Sequence, residues 1–351
     1  MVIITKDIAT EIEHFTASHK FDKVYVLTDA NTRKHCLPLL QKAKVIADAT
    51  YITIEAGDMN KSIEQVSTVW EALSQSGASR NSLLINVGGG MVTDLGGFAG
   101  ATFKRGLHTL NIPTTLMASV DAAIGGKTGF NFNGLKNEIG SFYQPVAVLI
   151  DCTFLHTLDH DNILSGYVEM IKHGLISNTE NLNKILSFDI ENEKIDTDSL
   201  NSLVETSVAV KERIVTEDPK EQGIRKALNF GHTVGHAIES LSFKKKHPLL
   251  HGHAVAAGLV SELYLSHKQC GMPLDTMRSA VNYIKSAYPA FGFKCDDYDM
   301  LYELMTHDKK NEGGHINFTL LGNVGDIRIN QELSKELVLE SLDFYRENAG
   351  I

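Results

Sequence analysis

The stretch Ser82–Gly100, SLLINVGGGMVTDLGGFAG, leaves few folds open to this chain. Ser82–Val87 is dominated by aliphatic side chains and reads as a buried strand. It runs straight into Gly88, Gly89 and Gly90 and then into a helix start. Glycines let a backbone approach a pyrophosphate, and free amides at a helix N-terminus hold it. The pattern is neither GxGxxG nor the lysine-bearing P-loop. A tight strand–helix connection would use the same glycines. Asp94, one turn in, suits either a nucleotide hydroxyl or the positive end of the helix dipole. Gly96, Gly97, Ala99 and Gly100 make that helix slim enough to lie close to a sheet or a cofactor.

More strands of the same kind surround this one. Lys23–Thr28, Tyr51–Glu55, Leu107–Ile112 and Ala147–Asp151 are short aliphatic or β-branched runs. A helix is expected from about Ser62 to Ser76. With 28 glycines and 7% aromatic residues, the chain suits an α/β protein with many tight turns. Asp29 and Asn31 follow the first of these strands. An acid there accepts hydrogen bonds from a ribose and disfavours a 2′-phosphate, or it caps a helix. Asp58 and Lys61 sit in a turn where a ligand or solvent could meet them. Thr114 and Thr115 end a strand and suit a cofactor or a turn cap. The segment 119–140 carries Asp121, Lys127, Asn131, Lys136 and Asn137. It is too polar for core, and it reads as a long functional loop.

The pattern turns helical from about Thr157. The expected division is an α/β domain over residues 1–158 and a mainly helical domain over 159–351. Ser165–Ile176 places Glu169, Lys172 and His173 on one helix, and Lys211 lies on the helix Val204–Val215. Arg225–Glu239, RKALNFGHTVGHAIE, reads as one helix with Arg225, Asn229, His232 and His236 on one face at i, i+4, i+7 and i+11. A guanidinium, an amide and two imidazoles on such a face need partners, and a divalent metal plus an anionic substrate would supply them. On spacing alone, His232 and His236 are the natural metal pair. His251 begins a further helix beside Gly252, and His253 is a second imidazole there. His315–Leu321 reads as a strand in a hairpin over Gly313-Gly314.

The formal charge, 33 − 43 = −10, disfavours general binding to nucleic acid or membrane surfaces. Cys36, Cys152, Cys270 and Cys295 are scattered, with no CxxC pair, and read as reduced thiols. The N-terminus has no secretory pattern, and no apolar run reaches the ~18 residues of a membrane span. A cytoplasmic protein is expected.

With these pieces assembled, the chain resembles the 3-dehydroquinate synthase family of the sugar-phosphate cyclase superfamily. The resemblance covers roughly residues 20 to 340. It is carried by GGGMVTDLGGFAG, by PTT at 113–115, and by DAAIGGKTGFNFNGLKN, SGYVEMIKHG, RKALNFGHTVGHAIE, LHGHAVAAG and HDKK. It implies a Rossmann-like α/β nucleotide-binding domain followed by a mainly α-helical, metal-binding C-terminal domain. It implies Zn2+ (or Co2+) on Glu169, His232 and His251, with His236 handling protons near the substrate. Lys127, Lys172, Arg225 and Asn229, with Arg105, Lys136, Asn137, Lys211 and Lys310, would meet a doubly anionic sugar phosphate. Arg105 matches a residue that reaches a neighbouring subunit, which implies a homodimer. The NAD site would be lined by Asp29, Asn31, Asp58, Lys61, Gly88, Gly89, Gly90, Asp94, Thr114, Thr115, Asp121, Lys127, Lys136, Phe154 and Thr157. Asp58 stands where the family usually has Glu, His253 replaces a Glu, and Thr93 stands where Gly is common.

The reaction implied is the conversion of 3-deoxy-D-arabino-heptulosonate 7-phosphate to 3-dehydroquinate and phosphate, in aromatic amino-acid biosynthesis. Transient oxidation by NAD, phosphate elimination, re-reduction and an intramolecular aldol would follow in order. The alternatives are another sugar-phosphate cyclase, or a zinc-dependent polyol dehydrogenase, whose small neutral substrate would not need Lys136, Lys172 and Lys310. A non-catalytic nucleotide-binding module would lack bound metal.

Overall fold

The aliphatic runs of the first half pair edge to edge into one parallel sheet. In chain order the strands are β1 (Val2–Ile4), β2 (Val24–Asp29), β3 (Thr50–Ile54), β4 (Leu83–Gly88), β5 (His108–Pro113), β6 (Lys127–Phe132), β7 (Leu135–Phe142) and β8 (Ala147–Ile150). The sheet order is β1-β8-β5-β4-β2-β3, with every neighbouring pair parallel. Alternate side chains go to opposite faces. Val26 and Ile85 join one core with Ile12, Phe15 and Leu40, while Tyr25, Leu27 and Leu84 join another with Val69, Leu73 and Leu95. The computed structural model describes residues 1–133, 135–190, 197–306 and 316–351, which form two units, Met1–Asp159 and His160–Ile351.

The chain passes from β2 to the edge strand β3 and returns to β4 on the other side of β2. That reversal is a topological switch point, where the carboxyl ends of parallel strands leave a crevice. Thr28 pairs with Val87 and Gly88 with Pro113. This register brings Asp29, the three glycines and Thr114–Thr115 to one end of the sheet.

Two parts of the first unit differ from the sequence reading. β1 and the helix Ile8–Ala17 were not anticipated; β1 completes the sheet by pairing with β8. The polar segment 119–140 is not a loop. After a short π-helical turn, Ala118–Ala122, it forms the antiparallel hairpin β6–β7. A Cβ on Gly129 would lie 2.4 Å from the Ile139 carbonyl oxygen, and one on Gly140 would lie 2.3 Å from that of Thr128. Side chains are therefore excluded where the strands touch. Phe132 pairs with Leu135 across the hairpin, and Asn133 beside it has φ 50°.

The second unit is mainly helical: His160–Leu175, Thr197–Glu217, His232–Lys244, His251–Cys270, Leu274–Ala287 and Lys335–Ala349 are its longer helices. Its described hairpin joins β9 (Phe318–Asn323) to β10 (Asp326–Gln331). Gly325, at φ 79°, makes that turn. The expected turn at Gly313-Gly314, and Lys310 with it, lies outside the described residues. No described helix is long and apolar enough to cross a membrane.

Arg225–Glu239 is not one helix. Ile224–Asn229 is a 3-10 turn, and the α-helix starts only at His232. Gly231 separates them at φ 81°, a left-handed conformation that no continuous α-helix contains. The helices His232–Lys244 and His251–Cys270 then cross backbone to backbone. A Cβ on Gly258 would lie 2.1 Å from the Gly231 carbonyl oxygen and 2.8 Å from Gly235 Cα.

Candidate functional site

In the second unit the histidines converge because that crossing puts two helix starts side by side. His232 begins one helix and His251 begins the other. One ligand atom from each of His232, His236 and His251 lies within 4.8 Å of the others. Glu169, fully buried on the helix His160–Leu175, brings Oε1 to 3.6 Å from His232 Nε2. Its Oε2 accepts an ion-paired hydrogen bond from the Lys172 ammonium, which is itself buried. Oε1 has no hydrogen-bond partner.

The tautomers follow from the acceptors. His232 Nδ1 lies 3.1 Å from the Phe230 carbonyl oxygen, and His251 Nδ1 lies 3.2 Å from Glu239 Oε2. Carbonyl and carboxylate oxygens only accept, so each Nδ1 carries a hydrogen, and in the neutral imidazole Nε2 is the nitrogen left to ligate. Two such nitrogens, a third imidazole and an orphaned carboxylate oxygen form a donor set that fits a divalent zinc- or cobalt-type ion. His253 stands apart from this group. Its ring meets Tyr288 edge to face at 5.8 Å, and burial pushes its pKa down.

Arg225 and Lys211 are also buried in this unit. Arg225 Nη1 donates to the Pro219 carbonyl (2.7 Å), and Asn229 Nδ2 donates to Glu221 Oε1 (3.0 Å). Asp218 fixes the preceding turn by accepting the amides of Gln222, Gly223 and Arg225 at 3.0, 2.7 and 3.1 Å. Burial opposes its charge, but these amides and the Arg225 guanidinium hold its carboxyl below the usual aspartate value.

The first unit gathers a different cluster. Lys61, 2% exposed, donates to Asp94 Oδ2 (2.5 Å) and to Asn137 Oδ1 (2.5 Å). The Asn131 amide donates to the Lys61 carbonyl (2.7 Å), Asn131 Nδ2 to the Asp58 carbonyl (2.9 Å), and the Asn137 amide to Asn131 Oδ1 (2.9 Å). Lys136 bridges to Asp58 at 2.9 Å. The hairpin is thereby strapped onto the turn at 57–61. Burial, with Asp58 and Asp121 nearby, holds Asp94 above the usual carboxylate range against the pull of Lys61.

Next to this cluster is the glycine turn. Gly89 caps the helix Gly90–Thr102 without any side-chain oxygen for the first-turn amides. A Cβ on Gly89 would lie 3.0 Å from Thr115 Cγ2, and one on Gly90 would lie 3.1 Å from Ala122 Cβ. The cradle suits a phosphate met by backbone alone. The later glycines serve the scaffold: a Cβ on Gly96 would lie 2.1 Å from Asn86 Oδ1, and one on Gly100 would lie 2.3 Å from Thr109 Cγ2.

The remaining expected residues are more dispersed. Asp29 takes the capping role, its Oδ1 accepting from the Thr32 amide at 2.7 Å. Asn31, Arg105 and Lys127 are exposed, and Thr114 is buried. Phe154 is fully buried in the apolar core and offers its carbonyl, to which Thr157 donates at 2.7 Å. Thr93 is buried and donates to the Gly90 carbonyl at 3.2 Å.

Two acids escaped the sequence reading. Glu239 follows His232 at i+7 and His236 at i+3, on the same helical face, and its Oε2 lies 3.2 Å from His251 Nδ1. Glu262, fully buried, accepts the Gly231 amide at 2.6 Å and the Val234 amide at 3.0 Å. It lies eleven residues after His251, three helical turns on, and that spacing was the available signal.

Residues 51–165 match the family model described as 3-dehydroquinate synthase N-terminal, and residues 166–311 match that of the C-terminal part. A 3-dehydroquinate synthase of Parabacteroides distasonis is 66% identical over 350 residues, covering 100% of this chain and 99% of that one. One from Clostridium tetani is 36% identical over 326 residues, covering 92% and 85%. Among solved structures, the 2-epi-5-epi-valiolone synthase of Streptomyces hygroscopicus, with NAD+ and Zn2+ bound, superposes with a TM-score of 0.87 at 22% identity, covering 99% of this chain and 96% of that chain. A 2-deoxy-scyllo-inosose synthase complexed with carbaglucose-6-phosphate, NAD+ and Co2+ gives 0.84 at 21%, covering 99% and 96%. These two structures show the shared fold.

Proposed function

The chain belongs to the 3-dehydroquinate synthase family of phosphate-eliminating lyases, and from that premise we propose the division of labour among its residues. The substrate is 3-deoxy-D-arabino-heptulosonate 7-phosphate, and the products are 3-dehydroquinate and phosphate. NAD and a divalent zinc or cobalt ion serve as cofactors, a reading supported by the NAD+, Zn2+ and Co2+ in the two solved cyclases of this fold. The observation that carries the metal assignment is the partnerless Glu169 Oε1 facing His232 Nε2.

Bound NAD would supply reversible hydride chemistry at the substrate's C5, and the ion would supply polarisation of the oxygen there. Glu169, His232 and His251 hold the ion, and Lys172 keeps the Glu169 carboxylate aimed by occupying its other oxygen. Lys211, Arg225 and Asn229 grip the anionic groups of the substrate, where guanidinium and amide geometry suits carboxylate and phosphate. His236 assists the proton transfer at C6, alongside the departing phosphate's own oxygen. Keeping the intermediates bound is what allows one NAD to serve repeated turnovers.

In the first unit, Gly88–Gly90 and the helix start receive the pyrophosphate of NAD, and Asp94, Thr114 and Thr115 meet its hydroxyls and amide. Asp29, Asn31, Asp58, Lys61, Asp121 and the Phe154–Thr157 turn line the rest. Lys127, Lys136, Asn137 and Lys310 take phosphate contacts. Arg105 serves the site of a second copy in a cytoplasmic homodimer.

The test follows phosphate, 3-dehydroquinate and NADH together in purified protein given zinc, catalytic NAD and the heptulosonate phosphate. Equal amounts of phosphate and dehydroquinate, with no net NADH and no turnover by Glu169→Ala, are expected. NADH accumulating on a polyol, with no phosphate released from the sugar phosphate, would overturn the substrate assignment.

A further inference from the structure

We propose that Glu262 is a positioning residue that sets the spacing of His232 and His251 before any metal arrives, an inference that rests on the metal assignment above. The helix His232–Lys244 has no side-chain cap of its own. Its first-turn amides need acceptors, and a buried helix start without them is costly. Residue 231 is the natural place for a capping Ser or Asp. Here that position has φ 81°, and a Cβ would lie 2.6 Å from two atoms of the Leu259 side chain. The cap therefore has to come from another element.

It comes from Glu262. Both carboxylate oxygens are used, Oε2 on the Gly231 amide and Oε1 on the Val234 amide, and the residue is fully buried. Glutamates are almost never so buried unless something holds their charge. A helix N-terminus offers two donors and a favourable dipole. The helix that supplies Glu262 begins with His251. One rigid element thus carries one imidazole ligand and grips the first turn that carries the other. The glycine crossing between them leaves no side chain to act as a spacer. Precise ligand placement of this sort comes from the shell behind the ligands.

The experiment compares Co2+ and Zn2+ binding by wild type, Glu262→Gln and Ser261→Ala, using chelator competition and the visible Co2+ spectrum. Glutamine keeps the volume but presents an N–H2 to one of the two amides. Ser261→Ala removes a buried hydroxyl on the same helix that points to the Ser341 carbonyl instead (3.3 Å). Glu262→Gln is expected to bind both metals about 10–100-fold more weakly, with an altered Co2+ spectrum, as for other losses behind metal ligands. Ser261→Ala should keep wild-type affinity and spectrum. Wild-type affinity and spectrum in a folded Glu262→Gln with a lowered Tm would overturn the proposal and leave Glu262 a plain helix cap. Failure of the wild type to bind either metal would instead sink the metal assignment.

A second measurement needs no variant. Amide hydrogen exchange at Gly231 and Val234 should be equally slow in the metal-free and metal-loaded protein. Fast exchange that slows only on loading would show that metal builds the clamp, and would overturn preorganisation.

Discussion

The two units build their halves of the chemistry from different materials. In the first, the glycine turn and helix start present backbone, and the polar and charged groups around them, Lys61, Asp94, Asn137, Asp58 and Lys136, largely satisfy one another. In the second, the working atoms are side chains on helices, each held by another side chain or carbonyl: Glu169 by Lys172, His251 by Glu239, His232 by Phe230. A backbone site tolerates changes in side-chain chemistry but not added bulk. A site built from oriented side chains tolerates neither loss of a donor nor loss of the group behind it.

The strongest attempt to break this contrast is Glu169→Ala. It removes a proposed ligand and strands the buried Lys172 ammonium, which costs about 3–5 kcal/mol of stability. Metal analysis should find the ion gone and phosphate release lost; retention of stoichiometric zinc would refute the ligand role. Gly89→Val comes next. Its side chain would push into Thr115, and displacing the cradle by about an ångström should lower kcat/KM for NAD about 100-fold. The metal content should stay unchanged, and an NAD titration separates the two units' contributions. Glu239→Ala is expected to weaken zinc binding about 10–100-fold by releasing His251 Nδ1, while NAD binding to the first unit is untouched. A fall in NAD affinity in that variant would blur the contrast.

The smallest expected effect concerns pH. Asp218 has its carboxyl held below the usual aspartate value of 3.8 in the folded chain. Its contribution to stability is therefore present above that value and is lost as pH falls through the lower folded one. Asp218→Asn should lower Tm modestly at neutral pH, with the deficit shrinking as the medium is acidified below 3.8. A deficit that grew on acidification would contradict the amide-bonded turn beneath Arg225.

Sequence carried the parallel sheet well because its buried strands are predominantly aliphatic, as in Leu83–Val87, where only Asn86 breaks the run. It failed at β6–β7 because the hairpin is mostly exposed and glycine-centred, with only Phe130 in the core, so no apolar alternation announces it; the Asn-Gly dipeptide in the sequence was the signal to use. It also failed at Gly231. Helical spacing between Asn229 and His232 looked continuous, but one left-handed residue resets the phase. The histidines still converged because convergence depends on where two helices cross, which periodicity along one helix does not report. Glu239 and Glu262 were readable as positions on helical faces, but their partners lie on another helix or outside their own turn, so their purpose appears only with the tertiary contacts.

The glycine contact between Gly235 and Gly258 has an evolutionary consequence. With no side chains between the helices, ligand spacing there has no rotamers through which to drift. A lineage adapting this site to an ion of different radius would first show replacements at positions 235 and 258, while every residue touching the ion stayed the same.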